Sequence, residues 1–166
     1  MTTMTTDGEF EIRAAHRGDV PALHDMILAL AAFEKLTDLC VATVTDIEDA
    51  LFGLPPAAEA LIAWNYRQPV GFALFFHNFS TFLGRRGLWL EDLFVRDEYR
   101  HRGVATALLR ALARIAEERR CGRFEWAVLD WNEDAIRFYT GLGARPMSDW
   151  TTFRVAGEAL EKLASG

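Results

Sequence analysis

The 166-residue chain has few cysteines, no long apolar run and no excess of basic residues. Its two cysteines, Cys40 and Cys121, fit neither a metal-ligand spacing nor a disulfide framework, so they predict free thiols in a reducing compartment. No apolar run approaches the ~20 residues that span a bilayer, which predicts no membrane partner. Basic residues number 18 against 24 acidic ones, and this balance argues against binding nucleic acid, whose phosphates need a broad basic face.

The composition predicts one globular domain. Residues 1–8 are polar, carry no positive charge and lack an apolar core, so they predict a disordered tail and not a signal peptide. Hydrophobic residues make up 51% of the chain and charged residues 25%, which predicts a soluble domain over residues 9–166 in the cytoplasm. The net charge of -6 produces a long-range electrostatic field that attracts cations, which favours a cationic small molecule as the substrate.

Apolar periodicity predicts an alternation of strands and helices. The order is one strand, two helices, three strands, and then helix, strand, helix, strand and a tail helix. This order predicts an α/β fold with one mixed sheet and helices on its faces. The predicted strands are 10–14, 60–66, 70–76, 88–95, 124–129 and 150–155, and the predicted helices are 21–33, 45–51, 103–120, 132–140 and 156–164.

A candidate anion site lies where a strand ends and the clearest helix begins near Gly103. The first turn of a helix leaves backbone N–H groups without partners, and its dipole favours negative charge there. Gly103 and Ala105 are small enough for close approach of a phosphate, and Arg100 and Arg102 add positive charge. The pattern predicts a pyrophosphate cradle without a Walker lysine. The alternative is an ordinary helix start with solvated arginines.

This junction carries a family resemblance. Arg100-x-x-Gly103-x-Ala105 resembles the R/Q-x-x-G-x-G/A signature of the GNAT acetyltransferases. The surrounding stretch 88–144 resembles the spermidine/spermine (diamine) acetyltransferase branch, through the segments 90–95, 130–133 and 138–139. The resemblance implies the GNAT fold, a mostly antiparallel sheet splayed at the cofactor site, with acetyl-CoA as cosubstrate. It also implies a homodimer and acetyl transfer to a primary amine by direct attack in a ternary complex.

The same resemblance implies roles for individual residues. Backbone groups of Leu93, Phe94 and Val95 would hold the pantetheine arm, and Asn132 would bond the cofactor from the start of a helix. Tyr139 matches the family's general acid, although without the family context it fits better as a core aromatic paired with Phe138. The implied cofactor-binding residues are Leu93, Phe94, Val95, Arg100, His101, Arg102, Gly103, Val104, Ala105, Thr106, Asn132 and Tyr139.

Glu91 and Asp92 interrupt an apolar strand. Neighbouring residues of a pleated strand point to opposite faces, so at least one carboxylate is expected to face inward, where an unpaired charge is costly. Such carboxylates suit a functional site, and Glu91 is the candidate that deprotonates the amine, directly or through water. The alternative is that one acid caps a loop while the other is exposed at a strand bulge.

The remaining predictions concern the substrate. By the resemblance, Phe33, Glu34 and Trp150 match amine-binding positions of the family, and Asp92 is a further candidate. By themselves Phe33 fits a core residue better and Trp150 equally fits a buried strand tryptophan. His16, His24 and His77 share no ligand spacing, so no metal is predicted. Polyamine enzymes of the branch carry an acid where Ser80 stands within 78–82, and this run resembles the thialysine acetyltransferase branch. A short diamine or an amino acid with a side-chain amine is therefore predicted. A protein or peptide N-acetyltransferase and a non-catalytic CoA-binding regulator are the alternatives.

Overall fold

The computed structural model describes residues 3–7 and 9–166, with side chains from residue 9 onward, and its chain divides into two compact units. The first unit spans residues 1–127 and the second spans residues 128–166. The expectation of a single domain over residues 9–166 stays a prediction.

The first unit is built on a six-stranded mixed sheet in the order β1-β2-β3-β4-β5-β6. Neighbouring strands from β1 to β5 run antiparallel, and only β5 and β6 pair in parallel. The α/β fold class with a mostly antiparallel sheet is therefore confirmed. The strands are β1 (Thr3–Asp7), β2 (Phe10–Ala14), β3 (Glu59–Asn65), β4 (Gln68–Ser80), β5 (Arg85–Val95) and β6 (Phe124–Trp126).

The first strand corrects a prediction. Thr3–Asp7 lies within the segment expected to be a disordered tail, and instead it forms β1 antiparallel to β2. Threonine is β-branched and fits a pleated edge strand, so the Thr-rich composition supports pairing although the segment lacks an apolar core. Residues 1, 2 and 8 of the expected tail lie outside the described residues.

Three helices cover the two faces of this sheet. They are α1 (Val20–Phe33), α2 (Val44–Phe52) and α3 (Val104–Glu118), within about two residues of their predicted bounds. α1 and α2 pack on one face, where Leu23, Met26, Ile62, Phe72 and Phe94 belong to one buried cluster. α3 packs on the opposite face, since its Val104 lies against Gly71, the neighbour of Phe72 on β4.

The second unit contains α4 (Glu133–Gly141) and α5 (Glu158–Ser165), both close to their predicted positions. The strand predicted over 150–155 is not formed. Trp150 and Phe153 are exposed there, and residues 128–166 contain no strand that could act as a pairing partner. The strand predicted over 124–129 is also shorter, because the β5–β6 ladder ends at the pair Leu90 and Trp126.

Candidate active site

A β-bulge interrupts the pairing of β4 and β5 at the two carboxylates. Phe75 lies opposite Leu90, and the next residue back on β4, Leu74, lies opposite Asp92. Glu91 is therefore an extra residue on β5 without a partner on β4. A bulge of this kind changes the direction of the following side chains and is common beside active sites.

The bulge brings both carboxylates to one face of the sheet. Asp92 lies opposite Leu74, and Trp89 lies opposite Phe76, which shares a face with Leu74. The indole Nε1 of Trp89 donates a hydrogen bond of 3.0 Å to Oε2 of Glu91. This is also the face of Phe72 and Phe94, against which α1 packs. The expectation that the two acids point to opposite faces is wrong, because it assumed regular pleating.

The two acids differ in their surroundings. Asp92 is partly buried, and this burial, followed by the nearby carboxyl groups of Glu91 and Glu34, raises its pKa to about 6. Glu91 is exposed to solvent. Burial also raises the pKa of Glu34, which caps the C-terminal end of α1. Three carboxyl groups from α1 and β5 therefore interact at one place, and such a place attracts a cation.

The start of α3 has the geometry of an anion site. Gly103 is its N-cap with a left-handed φ of 86°, and His101 has a positive φ of 60°. The first helical hydrogen bond runs from the N–H of Ala107 to the carbonyl of Gly103, so the N–H groups of the first turn lack acceptors within the helix. A Cβ on Gly103 would meet no atom within 4 Å, so the space beside this glycine is open.

A second glycine, Gly71, sets the position of this helix, although that role was not predicted from the sequence. A Cβ on Gly71 would lie 2.7 Å from the carbonyl oxygen of Phe94 and 3.3 Å from Cγ1 of Val104. Only a glycine lets the first residue of α3 pack this close to β4. The available signal was a glycine inside a strand pattern, which often marks a close approach.

The two arginines of the loop before α3 contact different aromatic rings. The Arg100 guanidinium lies 4.4 Å from the centroid of Phe33, and that of Arg102 lies 5.4 Å from the centroid of Tyr99. Phe33, expected to present its ring to an amine, thus has a guanidinium against it. The remaining members of the predicted cradle, His101, Val104, Ala105 and Thr106, lie in this loop and the first turn of α3.

The backbone of β5 beyond the bulge has an open side. Its ladder with β6 covers only Leu88, Trp89 and Leu90, whereas its ladder with β4 continues to Val95. Within the part of the first unit that the structure describes, no strand pairs with residues 91–95 on the β6 side. Leu93, Phe94 and Val95 therefore follow one another along a half-open strand edge, as the predicted splay requires.

Three predicted residues lie in the second unit. Asn132 is the N-cap of α4, and its side-chain oxygen accepts a hydrogen bond of 3.2 Å from the backbone N–H of Ala135. Tyr139 is partly buried on α4, with its ring centroid 5.4 Å from that of Phe138. Trp150 lies outside regular structure with an exposed side chain.

Among residues with described side chains, no group of three or more His, Cys, Asp and Glu residues is arranged to hold a metal ion. None of the helices in the described ranges has both the length and the apolarity that crossing a bilayer requires.

Comparisons with known proteins agree with this architecture. The chain is 35% identical to a thialysine N-epsilon-acetyltransferase of Sus scrofa over 92% of its own length and 96% of the relative's. It is 31% identical to an L-ornithine N5-acetyltransferase of Arabidopsis thaliana over 92% and 86% of the two chains. An integron cassette protein of V. cholerae has the same fold, with a TM-score of 0.81, 24% identity and coverage of 96% and 99%.

The family model described as the acetyltransferase (GNAT) family matches residues 27–144. This range includes the end of α1, the bulge on β5, the loop before α3 and all of α4. A match over most of the chain, joined to relatives above 30% identity along nearly their whole length, shows that this chain belongs to the GNAT acetyltransferase family.

Proposed function

We propose that this enzyme transfers the acetyl group of acetyl-CoA to a primary amine of a small molecule, either a short diamine or an amino acid with a side-chain amine. One observation carries the proposal. The bulge at Glu91 turns two carboxylates to the face of α1, where Glu34 acts electrostatically on Asp92, and the strand that bears them is followed by the loop 96–103 and the start of α3. The relatives named for thialysine and ornithine act on molecules of this class.

The residues before and within the first turn of α3 suit the diphosphate of acetyl-CoA. The left-handed Gly103 leaves open space beside the backbone, and Arg102 lies half-exposed in the same loop. The first-turn N–H groups and the helix dipole favour a bound anion there. Acetyl-CoA supplies the reactive thioester when bound. The open edge of residues 93–95 holds the pantetheine arm by backbone hydrogen bonds, and Asn132 adds a contact from α4.

The acidic pair receives the amine. An ammonium group must lose a proton before it attacks a carbonyl carbon, and a carboxylate with a pKa close to the working pH is a suitable acceptor. Glu91 lies at the solvent side of the pair, and Asp92, with a pKa of about 6, is a second candidate for this step. Phe33, Glu34 and Trp150 complete the amine site in this proposal. Attack is direct, and no covalent enzyme intermediate forms.

Proton donation to the departing thiolate is assigned to Tyr139. A phenol is a neutral acid that can donate without first changing the charge of the site. Backbone N–H groups near Val95 stabilise the charge that develops on the carbonyl oxygen. The partly buried position of Tyr139 on α4 fits a group that is held in place by packing.

The end of β4 favours a short substrate. Ser80 is only 5% exposed, and its Oγ accepts a hydrogen bond of 3.3 Å from the N–H of Leu83. A hydroxyl that caps the turn between β4 and β5 offers no negative charge to a distant second ammonium group. Long polyamines therefore lose an electrostatic partner at this position.

The enzyme is proposed to act as a homodimer in the cytoplasm. Apolar side chains of the second unit are exposed in the single chain, and a partner subunit would cover them. The cysteines Cys40 and Cys121 are unbridged, which fits a reducing compartment. The exposed apolar residues include Met147, Trp150, Phe153, Leu160 and Leu163.

A panel of acceptors with detection of the released thiol tests the proposed function. Lysine, ornithine, thialysine, putrescine, spermidine and spermine are compared with a peptide bearing a free N-terminus. Turnover of one or more short amines is expected to exceed turnover of the peptide. Preference for the peptide would identify a protein N-acetyltransferase, and CoA binding without turnover of any acceptor would identify a non-catalytic regulator.

A further inference from the structure

The Arg100 side chain joins the end of a strand to the end of a helix. Its Nε donates a hydrogen bond of 3.3 Å to the carbonyl of Val95, the last residue of β5. Its Nη2 lies 2.9 Å from a carboxylate oxygen of Asp97. Its guanidinium carbon lies 4.4 Å from the ring centroid of Phe33, the last residue of α1. The charge is thus paired within the loop, and the guanidinium contacts the helix end.

Arg102 provides a contrast within the same loop. Its guanidinium carbon lies 5.4 Å from the Tyr99 ring, and its Nη1 lies 4.0 Å from a carboxylate oxygen of Glu9. Half of its side-chain surface is exposed, against 32% for Arg100. A cofactor phosphate can therefore recruit Arg102 without breaking a short ion pair, whereas recruiting Arg100 would break its pairing with Asp97.

The residue after Phe33 links this contact to the acidic pair. Glu34 caps α1, and its backbone N–H donates a hydrogen bond of 2.9 Å to the carbonyl oxygen of Leu30. Its carboxyl group is one of the two that act electrostatically on Asp92. A shift of the Phe33 ring would move this last turn of α1, and with it the carboxyl group of Glu34.

We propose that Arg100 is a positioning residue for the amine site, which holds Phe33 and the last turn of α1 in place, and that Arg102 supplies the side-chain charge for the cofactor diphosphate. This inference rests on the proposed function. It assigns the first residue of the family signature a role in substrate geometry as well as its place in the cofactor loop. Lysine cannot substitute fully, because it lacks the planar group that lies against the ring and donates along its edge.

The test compares Arg100→Gln and Arg100→Lys with the matched variant Arg102→Gln. Calorimetry on the cofactor-free enzyme gives the dissociation constant for CoA, and steady-state kinetics at saturating acetyl-CoA gives KM and kcat for the amine. We expect Arg100→Gln to raise the amine KM about five- to tenfold with little change in CoA affinity. Arg102→Gln is expected to weaken CoA binding with little change in the amine KM.

The variants Phe33→Leu and Arg100→Lys test whether Arg100 acts through Phe33 and whether its charge alone is sufficient. Phe33→Leu is expected to raise the amine KM as Arg100→Gln does, and the double variant is expected to be no worse than either single one. Arg100→Lys keeps the positive charge, so it controls for charge loss and is expected to retain CoA affinity. If Arg100→Gln weakens CoA binding as strongly as Arg102→Gln while the amine KM stays constant, or if the double variant is additive, the inference is wrong.

A readout without turnover separates this inference from the proposed function. NMR titration of the Glu34 carboxyl group is expected to give a pKa closer to its ordinary value in Arg100→Gln, because the loosened helix end exposes the group. Arg102→Gln is expected to leave this titration unchanged. Absence of activity on every amine would contradict the proposed function and not the contact between Arg100 and the end of α1. An unchanged Glu34 titration in Arg100→Gln would contradict the positioning role and not the proposed function.

Discussion

The indole Nε1 of Trp89 donates a hydrogen bond to Oε2 of Glu91 across 3.0 Å on the same strand. This contact is possible because both side chains leave β5 on the α1 face, and the bulge then directs Asp92 to that face as well. One carboxylate is held near solvent by an indole, while its neighbour is partly buried. The two acids therefore meet an incoming ammonium group in different environments, and each can be tested separately.

Replacing Gly103 with alanine tests the anion site at the start of α3. The residue has a φ of 86°, so a Cβ is expected to cost about 1–2 kcal/mol of stability whatever its neighbours. The Cβ would also point into the open space beside the backbone, where a diphosphate must approach. CoA affinity is expected to fall about tenfold, equivalent to ~1.4 kcal/mol. Calorimetry at a temperature where the variant is folded measures this loss.

Gly84→Ala is the matched control for that experiment. Gly84 has a similar φ of 62°, also has no atom within 4 Å of an added Cβ, and lies in the turn between β4 and β5. It is expected to lose comparable stability and to keep its affinity for CoA. Equal CoA affinity in both variants would show that the diphosphate does not lie against Gly103.

Regular features of this fold could be predicted from the sequence. Strong periodicity between Leu108 and Ile115 defines α3, because tertiary packing agrees with the local pattern there. Three apolar runs joined by short turns define the antiparallel strands β3, β4 and β5. The loop that carries Arg100 and Gly103 was also identified from short-range pattern. These features depend on residues that are close together in the chain.

The sequence-based predictions fail where the pairing of residues distant in the chain decides the structure. The bulge at Glu91 depends on the register between Leu74 and Asp92, and no local pattern reveals an unpaired residue within an apolar strand. The sequence 150–155 has strand-like composition but lacks a pairing partner among residues 128–166. The contact between Arg100 and Phe33 joins positions far apart in sequence, so spacing alone could not predict it.

Tyr139→Phe tests the proposed general acid. Loss of the phenolic hydroxyl is expected to lower kcat by a factor of ~10² or more, because the thiolate then departs without a positioned proton donor. CoA affinity is expected to change little. The ring itself is retained, so its contact with Phe138, at 5.4 Å between centroids, should persist and the melting temperature should stay close to that of the wild type. Full turnover of the folded variant would exclude Tyr139 as the acid.

Substrate length tests the interpretation of Ser80. Thialysine, lysine and ornithine are expected to have higher kcat/KM values than spermine, because the buried hydroxyl of Ser80 provides no partner for a distal ammonium group. The measurement is kcat/KM for each amine at one pH and one ionic strength. A clear preference for spermine would mean that another carboxylate recognises the far end of the substrate.

The stability of Asp92→Asn should depend on pH in a defined direction. Folding raises the pKa of Asp92 to about 6, so the folded state favours the protonated carboxyl group. The contribution of this carboxyl group to the free energy of unfolding is fully present below about pH 4 and is lost as the pH rises through about 6. Asn does not ionise, so the variant is expected to be more stable than the wild type at pH 7, by at most about 3 kcal/mol.

Asp46→Asn provides a control of opposite sign. The Asp46 carboxylate accepts a 2.7 Å hydrogen bond from the backbone N–H of Thr43, and this bond holds its pKa below the usual range. Its contribution to stability is present near neutral pH and is lost as the pH falls through that lowered pKa. Chemical denaturation between about pH 2 and pH 8 compares the two variants, because the Asp46 transition lies below its ordinary pKa. A loss of stability in Asp92→Asn at pH 7 would show that the Asp92 carboxylate makes a favourable contact in the folded state.

The pH dependence of kcat/KM for the amine separates Glu91 from Asp92. If Asp92 takes the proton, the wild-type rate should rise through pH 6 as this carboxyl group ionises, and Asp92→Asn should remove that rise. Removal of the carboxylate that takes the proton is expected to lower the rate by a factor of ~10² near neutral pH. This deficit is expected to shrink at higher pH, where free amine is already present.

Glu91→Gln should keep the rise near pH 6 if Glu91 only attracts the ammonium group. If Glu91→Gln lowers the rate about 10²-fold near neutral pH and Asp92→Asn leaves it close to that of the wild type, Glu91 is the proton acceptor. Trp89→Phe adds a graded change, because it removes the hydrogen bond to Glu91 and keeps both carboxyl groups. Its effect should follow that of Glu91→Gln in direction and be smaller, since the negative charge remains while its orientation is lost.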